Sequence, residues 1–312
     1  MAGPRVLVTG ATGFIGRHLC DRLANPGSWT AVGRTNPAKF ALPLAYRQTD
    51  LSIEAEARAA IPPGTDVLVH LASYRGAPND VTGHFRTTSA ATLYLCDAAR
   101  RAGVKRIVLM STTSVYEPSL PADALLGEDA RRARKRPLAY GFSKKWAEDA
   151  ARLQAMLSDH DMRLWVLRPG VVVGPGLRNS SWLRSTVRRL ASGQSYPLTG
   201  ERGHRLGLVA VDDVIDALAV AIGGREPAGT EAPGPIWNIV AEPWWERDVV
   251  EKLASKLGVT PIFAAPPSRD RGGWNDEPLS VAGDGARWVR EMGAVRTRPV
   301  GPLLEAIAGS EV

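Results

Sequence analysis

Residues 6–16 of this chain read VLVTGATGFIG, and this stretch decides the fold. An apolar run, Val6–Thr9, turns through glycines into an amphipathic segment, Phe14–Leu23, which predicts a strand, a tight turn and a helix. The glycines of the turn are Gly10, Gly13 and Gly16. Backbone N–H groups and the positive end of the helix dipole suit a phosphate there. Many glycine-rich turns bind nothing, so this interpretation needs support from the rest of the chain.

Composition indicates a globular protein with one large domain or two small ones. Apolar residues make up 44% of the 312 residues, but no apolar stretch approaches the length of about 20 residues that spans a bilayer. Residues 1–10 lack the features of a signal peptide, so we expect a cytoplasmic protein without a membrane partner. Cys20 and Cys96 fall in apolar parts of predicted helices, which favours core thiols over a disulfide.

The formal charge of +7 permits nucleic-acid binding but suits equally well a protein whose ligands carry phosphates. No nucleic-acid motif is present, and the five histidines lack the spacing of metal ligands, so we expect neither nucleic acid nor metal as a partner. The densest basic run, residues 131–136, is either a solvated face or a rim that attracts anions.

Short apolar runs alternate with helical patterns through the first half of the chain. The predicted strands are Val6–Thr9, Trp29–Val32, Asp66–His70, Arg106–Met110 and Leu164–Leu167, and the predicted helices are Phe14–Leu23, Thr87–Ala102 and Tyr140–Leu157. This alternation predicts an α/β fold with a Rossmann-like, doubly wound parallel sheet that binds ligands at the carboxyl ends of its strands. We predict a main domain over 1–178 with return segments 206–240, and a smaller C-terminal substrate lobe from 179–205 and 241–312.

Two later motifs accompany the glycine turn: STTSVY at 111–116 and YGFSK at 140–144. Tyr140 and Lys144, four residues apart on a helix, project from one face and can reach a common ligand. Together the three motifs resemble the extended short-chain dehydrogenase/reductase family, whose members include nucleotide-sugar epimerases, dehydratases and ketoreductases. The resemblance is close over residues 4–175 and loose beyond them.

The resemblance implies a catalytic set of Thr112, Tyr140 and Lys144. Tyr140 would exchange a proton with the substrate oxygen, while the Lys144 ammonium favours the phenolate and holds the nicotinamide ribose. Thr112, three residues before the Val115-Tyr116 pair, would polarise the carbonyl oxygen, with Ser111 as its supporting neighbour.

The resemblance also implies a nicotinamide dinucleotide cofactor. The expected contacts are Gly10, Thr12, Gly13, Phe14, Ile15, Gly16, Arg34, Asp50, Leu51, Leu71, Ala72, Ser73, Tyr140, Lys144 and Pro169. At the end of the second strand a carboxylate would bind a free ribose 2′-OH, whereas an arginine pairs with a 2′-phosphate. Residues 31–35 contain Arg34 and no acidic residue, which favours NADP over NAD.

The substrate half departs from the family pattern. Thr113 and Ser114 replace the Asp-Glu pair of the sugar dehydratases, which leaves a reductase or an epimerase. Three further positions differ from the family pattern. Thr88 and Val171 stand where the family has Asn, and Leu206 stands where it has Arg. The expected substrate contacts are Arg75, Thr113, Ser114, Arg184 and Arg205, with Arg205 reoriented by a local bulge, and with Arg178 and Arg188 as further candidates.

Three functions remain open from the sequence. The first is an NADP(H)-dependent ketoreductase or epimerase of a nucleotide-linked keto sugar. The second is a reductase of a non-nucleotide carbonyl, such as a natural-product intermediate, because Val171 and Leu206 would leave an apolar cleft. The third is a dinucleotide-sensing protein without turnover, which the retained Tyr140 and Lys144 disfavour. Helices 87–102 and 140–157 would form the four-helix bundle of a homodimer.

Overall fold

The computed structural model describes residues 3–35, 42–74, 76–118, 123–132, 139–158, 161–177, 181–227, 230, 233–266, 280–292 and 297–310. Its strands are β1 (Val6–Thr9), β2 (Trp29–Gly33), β3 (Ala45–Gln48), β4 (Val67–His70), β5 (Arg106–Met110), β6 (Arg163–Pro169), β7 (Val171–Val173), β8 (Tyr196–Pro197), β9 (Arg205–Ala210), β10 (Ile236–Ile239), β11 (Glu242–Trp245) and β12 (Phe263–Ala264). Its helices are α1 (Phe14–Leu23), α2 (Glu54–Arg58), α3 (Val81–His84), α4 (Ala91–Arg101), α5 (Ala139–Met156), α6 (Trp182–Ala191), α7 (Val211–Gly223), α8 (Glu246–Leu257), α9 (Ala286–Met292) and α10 (Gly301–Gly309).

The main sheet has seven strands in the order β10-β6-β5-β4-β1-β2-β3. Strands β1 and β4 lie at its centre, paired in parallel from Val6 opposite Val67 to Thr9 opposite His70. Both are buried along their whole length, because helices cover the two faces of a parallel sheet and only apolar runs fit there. The predicted Rossmann-like doubly wound fold is confirmed.

The predicted bounds of β1, β5 and α1 agree with the structure, whereas the helix predicted from Thr87 begins earlier. It starts as α3, where the Asp80 side chain accepts a hydrogen bond from the backbone N–H of Gly83. A π-helical turn, Phe85–Ala90, then joins α3 to α4. The wider π turn interrupts the helical period of 3.6 residues, so the predicted helix begins at Thr87 within that turn and omits α3 before it.

The chain divides into two compact units. The first comprises residues 1–115, 138–168 and 215–237. Its core includes side chains from neighbouring strands and from the helices over them, such as Leu7, Leu68, Ile107, Leu95 and Ala151. Cys20 and Cys96 are free, buried thiols, as predicted, and burial raises the pKa of each to about 12. Among the described residues, no helix combines the length and apolar character needed to span a membrane.

The second unit comprises residues 116–137, 169–214 and 238–312. It has its own three-stranded sheet, β11-β9-β7, and a two-stranded sheet, β12-β8. Its apolar core contains side chains of α6, α8 and α10, including Val187, Val250 and Leu304. Strand β9 coincides with the start of the segment 206–240 that we predicted to return to the main domain. In the structure β9 pairs with β7 on one side and with β11 on the other.

Candidate active site

The turn after β1 can be made only with glycines. Gly10 has a φ of +73°, and a Cβ on it would lie 2.7 Å from the backbone nitrogen of Ala72. A Cβ on Gly16 would overlap the carbonyl oxygen of Gly10, so both residues allow backbone segments to touch. Gly13 is the N-cap of α1, and no described side chain caps this helix end. The first backbone N–H groups of α1 therefore fit the pyrophosphate of a dinucleotide.

The remaining residues predicted for the adenosine half surround the ends of β2 and β3. Arg34 is exposed directly after β2, and Thr12 Oγ1 lies 3.5 Å from Thr35 Oγ1. Asp50 Oδ1 accepts hydrogen bonds from the N–H and the hydroxyl of Ser52, at 3.0 and 2.8 Å. Leu51 beside it is buried. These contacts hold the Asp50 carboxylate in a defined loop after β3.

Two other predicted cofactor residues, Phe14 and Ile15, open helix α1 behind the glycines. The Phe14 ring contacts His18 one turn further on, with ring centroids 5.3 Å apart. Pro169, the last residue of β6, is buried and belongs to the second unit.

The loop after β4 is fixed by a chain of hydrogen bonds through His70. Thr92 donates its hydroxyl proton to the Thr88 carbonyl at 2.6 Å, so it accepts from His70 Nε2 at 3.0 Å. The neutral imidazole then accepts at Nδ1 from the Thr9 hydroxyl, 2.7 Å away. Thr9 Oγ1 in turn accepts from the N–H of Ala72 at 3.2 Å. This network holds the predicted cofactor residues Leu71, Ala72 and Ser73 against β1.

His70 therefore has a role that the sequence motif HLAS did not reveal. It is almost fully buried, and burial together with the positive charge of Lys144 lowers its pKa to about 3. The sequence carried no signal for this role, because the register that sets Thr9 beside His70 appears only in the sheet. Thr88, which stands where the family has Asn, accepts the N–H of Tyr74 at 3.0 Å.

Helix α5 brings Tyr140 and Lys144 to the carboxyl end of β5. A Cβ on Gly141 would overlap the carbonyl oxygen of Ser114, so glycine lets the first turn of α5 rest on that loop. The buried Lys144 Nζ donates to the Met110 carbonyl at 2.7 Å. Both predicted catalytic residues of α5 are thus anchored at the strand end where the predicted Thr112 begins the next loop.

A short turn fixes the hydroxyl of Thr112. Its Oγ1 accepts the N–H of Ser114 and donates to the Ser114 hydroxyl, each at 3.2 Å. Thr112 and Thr113 are buried and Ser114 is exposed. The turn leaves Thr112 Oγ1 as both donor and acceptor beside the end of β5.

A buried ion pair joins helix α5 to strand β6 near these residues. Arg168 binds Glu148 through two hydrogen bonds, Nε to Oε1 at 2.9 Å and Nη2 to Oε2 at 2.7 Å, and both side chains are at most 4% exposed. The Ser111 hydroxyl donates to Glu148 Oε1. Our sequence analysis missed Glu148, although it lies one helical turn after Lys144 and on the same face of α5.

A family model identifies the family to which this chain belongs. The family model described as "NAD dependent epimerase/dehydratase family" matches residues 6–239, about three quarters of the chain. The chain belongs to this family. The predicted resemblance is therefore confirmed, and the protein is an enzyme of the NAD-dependent oxidoreductase and epimerase class. The alternative of a sensing protein without turnover is set aside.

Three similar proteins illustrate the range of the family. The dTDP-4-dehydro-6-deoxy-D-allose reductase of a Streptomyces species is 28% identical over 240 residues, which cover 69% of this chain and 72% of that protein. The UDP-glucose 4-epimerase of Vibrio cholerae is 26% identical over 230 residues, which cover 70% and 66%. The solved structure of MoeE5 in complex with UDP-glucuronic acid and NAD is 25% identical, with a TM-score of 0.77 and coverage of 98% and 99%.

Substrate residues predicted for this family member fall mostly in its second unit. Arg184 Nη1 lies 3.5 Å from the Ile307 carbonyl, and Arg188 is exposed. The guanidinium of Arg205 lies 5.1 Å from the centre of the Trp245 ring, and its Nε is buried without a hydrogen-bond partner among the described residues. Arg75 and Arg178 lie outside the described residues.

One expectation about this region is wrong, namely the local bulge at Arg205. Strand β9 pairs with β11 in unbroken register, with Arg205 opposite Trp245 and Leu206 opposite Trp244, so the bulge predicted at Arg205 is not present there. Alternation along a regular strand places Arg205 and Leu206 on opposite faces. Leu206 and Val171 are half-buried and pack against the apolar core of the unit, and the apolar cleft expected from them stays a prediction.

Proposed function

We propose that this enzyme is an NADP(H)-dependent ketoreductase or epimerase of a nucleotide-linked keto sugar, with Tyr140 as its acid/base. The observation that carries the proposal is the anchoring of Tyr140 and Lys144 at the carboxyl end of β5, in the same sheet edge as the glycine turn after β1. Dinucleotide-binding sheets place cofactor and reactive groups along this edge.

The glycine turn and the loop after β4 would hold the dinucleotide, which supplies or accepts a hydride when bound. Tyr140 would give a proton to the substrate oxygen during reduction and take it back during oxidation. The hydroxyl of Thr112 would turn its proton from the Ser114 hydroxyl to the same oxygen and donate a hydrogen bond to it. Lys144, held by the Met110 carbonyl, would bind the ribose through its ammonium group and would bring positive charge near the phenol.

Preference for NADP(H) is proposed from Arg34. Its exposed guanidinium follows β2, and residues 31–35 offer no carboxylate to a ribose 2′-OH. One charged hydrogen bond to a 2′-phosphate contributes about 1.5–3 kcal/mol, or one to two decades in affinity. Arg34→Ala should therefore weaken NADPH binding about 10- to 100-fold in a fluorescence titration and leave NADH binding nearly unchanged. Equal losses for the two cofactors would contradict this role of Arg34.

A nucleotide diphosphate as part of the substrate is proposed from the basic side chains of the second unit. Arg202 and Arg205 both lie over the Trp245 ring, at 4.4 and 5.1 Å, which concentrates two guanidinium groups beside an aromatic surface. The two curated relatives named above act, by their names, on dTDP- and UDP-linked sugars. We infer a diphosphate contact at Arg205, because its guanidinium lies with that of Arg202 beside the Trp245 ring and the pair can bind an anion.

The test is binding of UDP, dTDP and GDP to the NADP-loaded enzyme by calorimetry, at 0.1 M and 1 M salt. The Debye length falls from about 10 to about 3 Å over this range, so an exposed diphosphate contact should weaken. Arg205→Ala should reduce the affinity about tenfold or more. Arg184→Ala measures the share of the other predicted arginine, and Arg225→Ala controls for the loss of one positive charge. If none of the three nucleotides binds at low salt, the substrate is a non-nucleotide carbonyl.

A further inference from the structure

His84 is a buried imidazole between two tyrosine rings. Its centroid lies 4.8 Å from the Tyr74 ring at an interplanar angle of 74°, and 6.2 Å from the Tyr140 ring at 61°. Both arrangements are edge-to-face, the geometry that aromatic rings prefer. Only 4% of His84 is exposed. The proposed acid/base therefore touches a ring to which the proposed chemistry gives no role.

Tyr74, on the other side of His84, is held at two points. Its hydroxyl donates to Asp80 Oδ2, and its backbone N–H donates to Thr88 Oγ1 at 3.0 Å. Asp80 is fixed in turn, because Oδ1 accepts the N–H of Gly83 at 2.8 Å. The bond to the Asp80 carboxylate raises the pKa of Tyr74. The Tyr74 ring is thus a rigid support for His84.

The helix segment around His84 is shaped to allow this packing. A Cβ on Gly83 would meet the side chains of Asp80 and Tyr74, with Cζ of Tyr74 at 2.6 Å, so glycine allows the tyrosine ring to lie close over α3. The π turn that follows His84 carries Ser89, whose hydroxyl donates to the Ser143 carbonyl of α5 at 3.0 Å. The segment is therefore fixed to the helix of Tyr140 independently of the ring contact.

We propose that His84 is a positioning residue for Tyr140. Its ring, supported by Tyr74, restricts rotation of the Tyr140 phenol and keeps the hydroxyl directed at the substrate oxygen. This inference rests on the proposed function only in taking Tyr140 as the acid/base. A reacting group displaced by 1 Å costs about 100-fold in rate, so a ring that limits such displacement contributes to kcat and not to cofactor binding.

The kinetic test compares His84→Ala, which removes the ring, with His84→Phe, which keeps a ring of similar shape and removes both nitrogens. With a substrate accepted by the wild-type enzyme, His84→Ala should lower kcat about 10- to 100-fold, and NADPH affinity should change less than about threefold. His84→Phe should recover kcat to within about threefold of wild type, with an unchanged pH profile. Melting temperatures of both variants exclude a general loss of folding.

A second readout needs no substrate. The chain has six tyrosines, so protein labelled with 3-fluorotyrosine gives six ¹⁹F resonances, and Tyr140→Phe and Tyr74→Phe assign two of them. In His84→Ala the Tyr140 resonance should move toward the value of the unfolded chain, while those of Tyr46, Tyr94, Tyr116 and Tyr196 stay in place. In His84→Phe the Tyr140 resonance should remain dispersed.

Two results would overturn the proposal. The first is wild-type kcat in His84→Ala together with an unmoved Tyr140 resonance. The second is a His84→Phe variant as slow as His84→Ala, because the imidazole nitrogens and not the ring would then be required. If no nucleotide sugar is turned over by the wild-type enzyme, the proposed substrate fails, and the fluorine spectra still decide whether His84 holds Tyr140.

Discussion

The hydroxyl of Tyr140 and the ammonium of Lys144 are useful together only because the fold fixes both. One lies against the His84 ring, and the other donates to the Met110 carbonyl in a buried setting. The protonation state and the orientation of each side chain determine what it can do, so single substitutions test these roles directly. The same applies to His70, a neutral imidazole with both nitrogens committed to threonine hydroxyls.

Tyr140→Phe removes the proposed proton donor and leaves the ring that packs on His84. We expect turnover to fall at least about 100-fold, the lower end of what a positioned general acid contributes, with NADPH affinity nearly unchanged. Steady-state rates and a fluorescence titration measure the two quantities. A variant that keeps the wild-type rate would place the acid/base on another residue.

His70 predicts a pH dependence of stability. An unfolded histidine binds a proton near pH 6.5, whereas burial lowers the pKa of His70 in the folded protein to about 3. Below pH 6.5 the proton therefore stabilises only the unfolded chain, and the free energy of unfolding falls by up to about 1.4 kcal/mol per pH unit from this group. Above pH 6.5 this contribution is constant.

Urea unfolding between pH 5 and pH 8 measures this slope, with His70→Gln as the variant that cannot titrate. Below pH 6.5 the free energy of unfolding of the wild type should fall more steeply than that of His70→Gln. The difference in slope should be up to about 1.4 kcal/mol per pH unit. Identical slopes would mean that His70 is not held neutral in the folded protein.

At the scale of elements, helix α5 is the part on which the active site depends. It is held to the end of β5 through Lys144, through the close approach of Gly141 to Ser114, and through Glu148, which joins Ser111 and Arg168. Replacing a buried ion pair with apolar residues is often neutral for stability, so the geometry of Glu148–Arg168 matters here as a link between α5 and β6.

Gly141→Ala tests the docking of α5. The added methyl group would overlap the Ser114 carbonyl, so the first turn must move, and Tyr140 moves with it. We expect a loss of about 1–3 kcal/mol in stability from the forced contact and a kcat reduced about tenfold or more. Gly223→Ala is the matched control, because its Cβ would meet no atom within 4 Å at an exposed helical position. Equal behaviour of the two variants would contradict the tight docking of α5.

For the molecule as a whole, the exposed apolar side chains of α4 and α5 are the most informative surface feature. They are Leu93, Trp146, Leu153 and Met156, together with Leu157 directly after α5, each between 37% and 56% exposed. Helices α4 and α5 pack side by side in the first unit. We propose that this face forms a homodimer, since a second copy presents the same apolar surface by two-fold symmetry.

Light scattering should give a mass of twice 33.5 kDa for the wild type. Trp146→Glu would place a charge in the proposed interface, and we expect it to shift the protein toward monomers and to remove the dependence of the melting temperature on concentration that a dimer shows. Ile262→Glu introduces the same change at another exposed apolar position and should leave the mass unchanged. A wild-type protein that is monomeric at micromolar concentration would contradict the proposal.

Four features could be predicted from the sequence: the β1–turn–α1 unit, the alternation of strands and helices, the positions of Tyr140 and Lys144 on one helix face, and the family. Each of these predictions rests on short stretches of sequence, because hydrophobic periodicity and glycine placement can be recognised within about 20 neighbouring residues. Only the tertiary structure decided the contacts of His70 with Thr9, 61 residues away, of Glu148 with Arg168, and of His84 with Tyr140.

The pairing of β9 with β7 and β11, and with it the side of the strand on which Arg205 lies, was decided in the same way. Such contacts depend on which elements meet in space. Periodicity along the chain does not show which elements will meet. The partners of a strand or of a buried polar group can lie at any distance in the sequence.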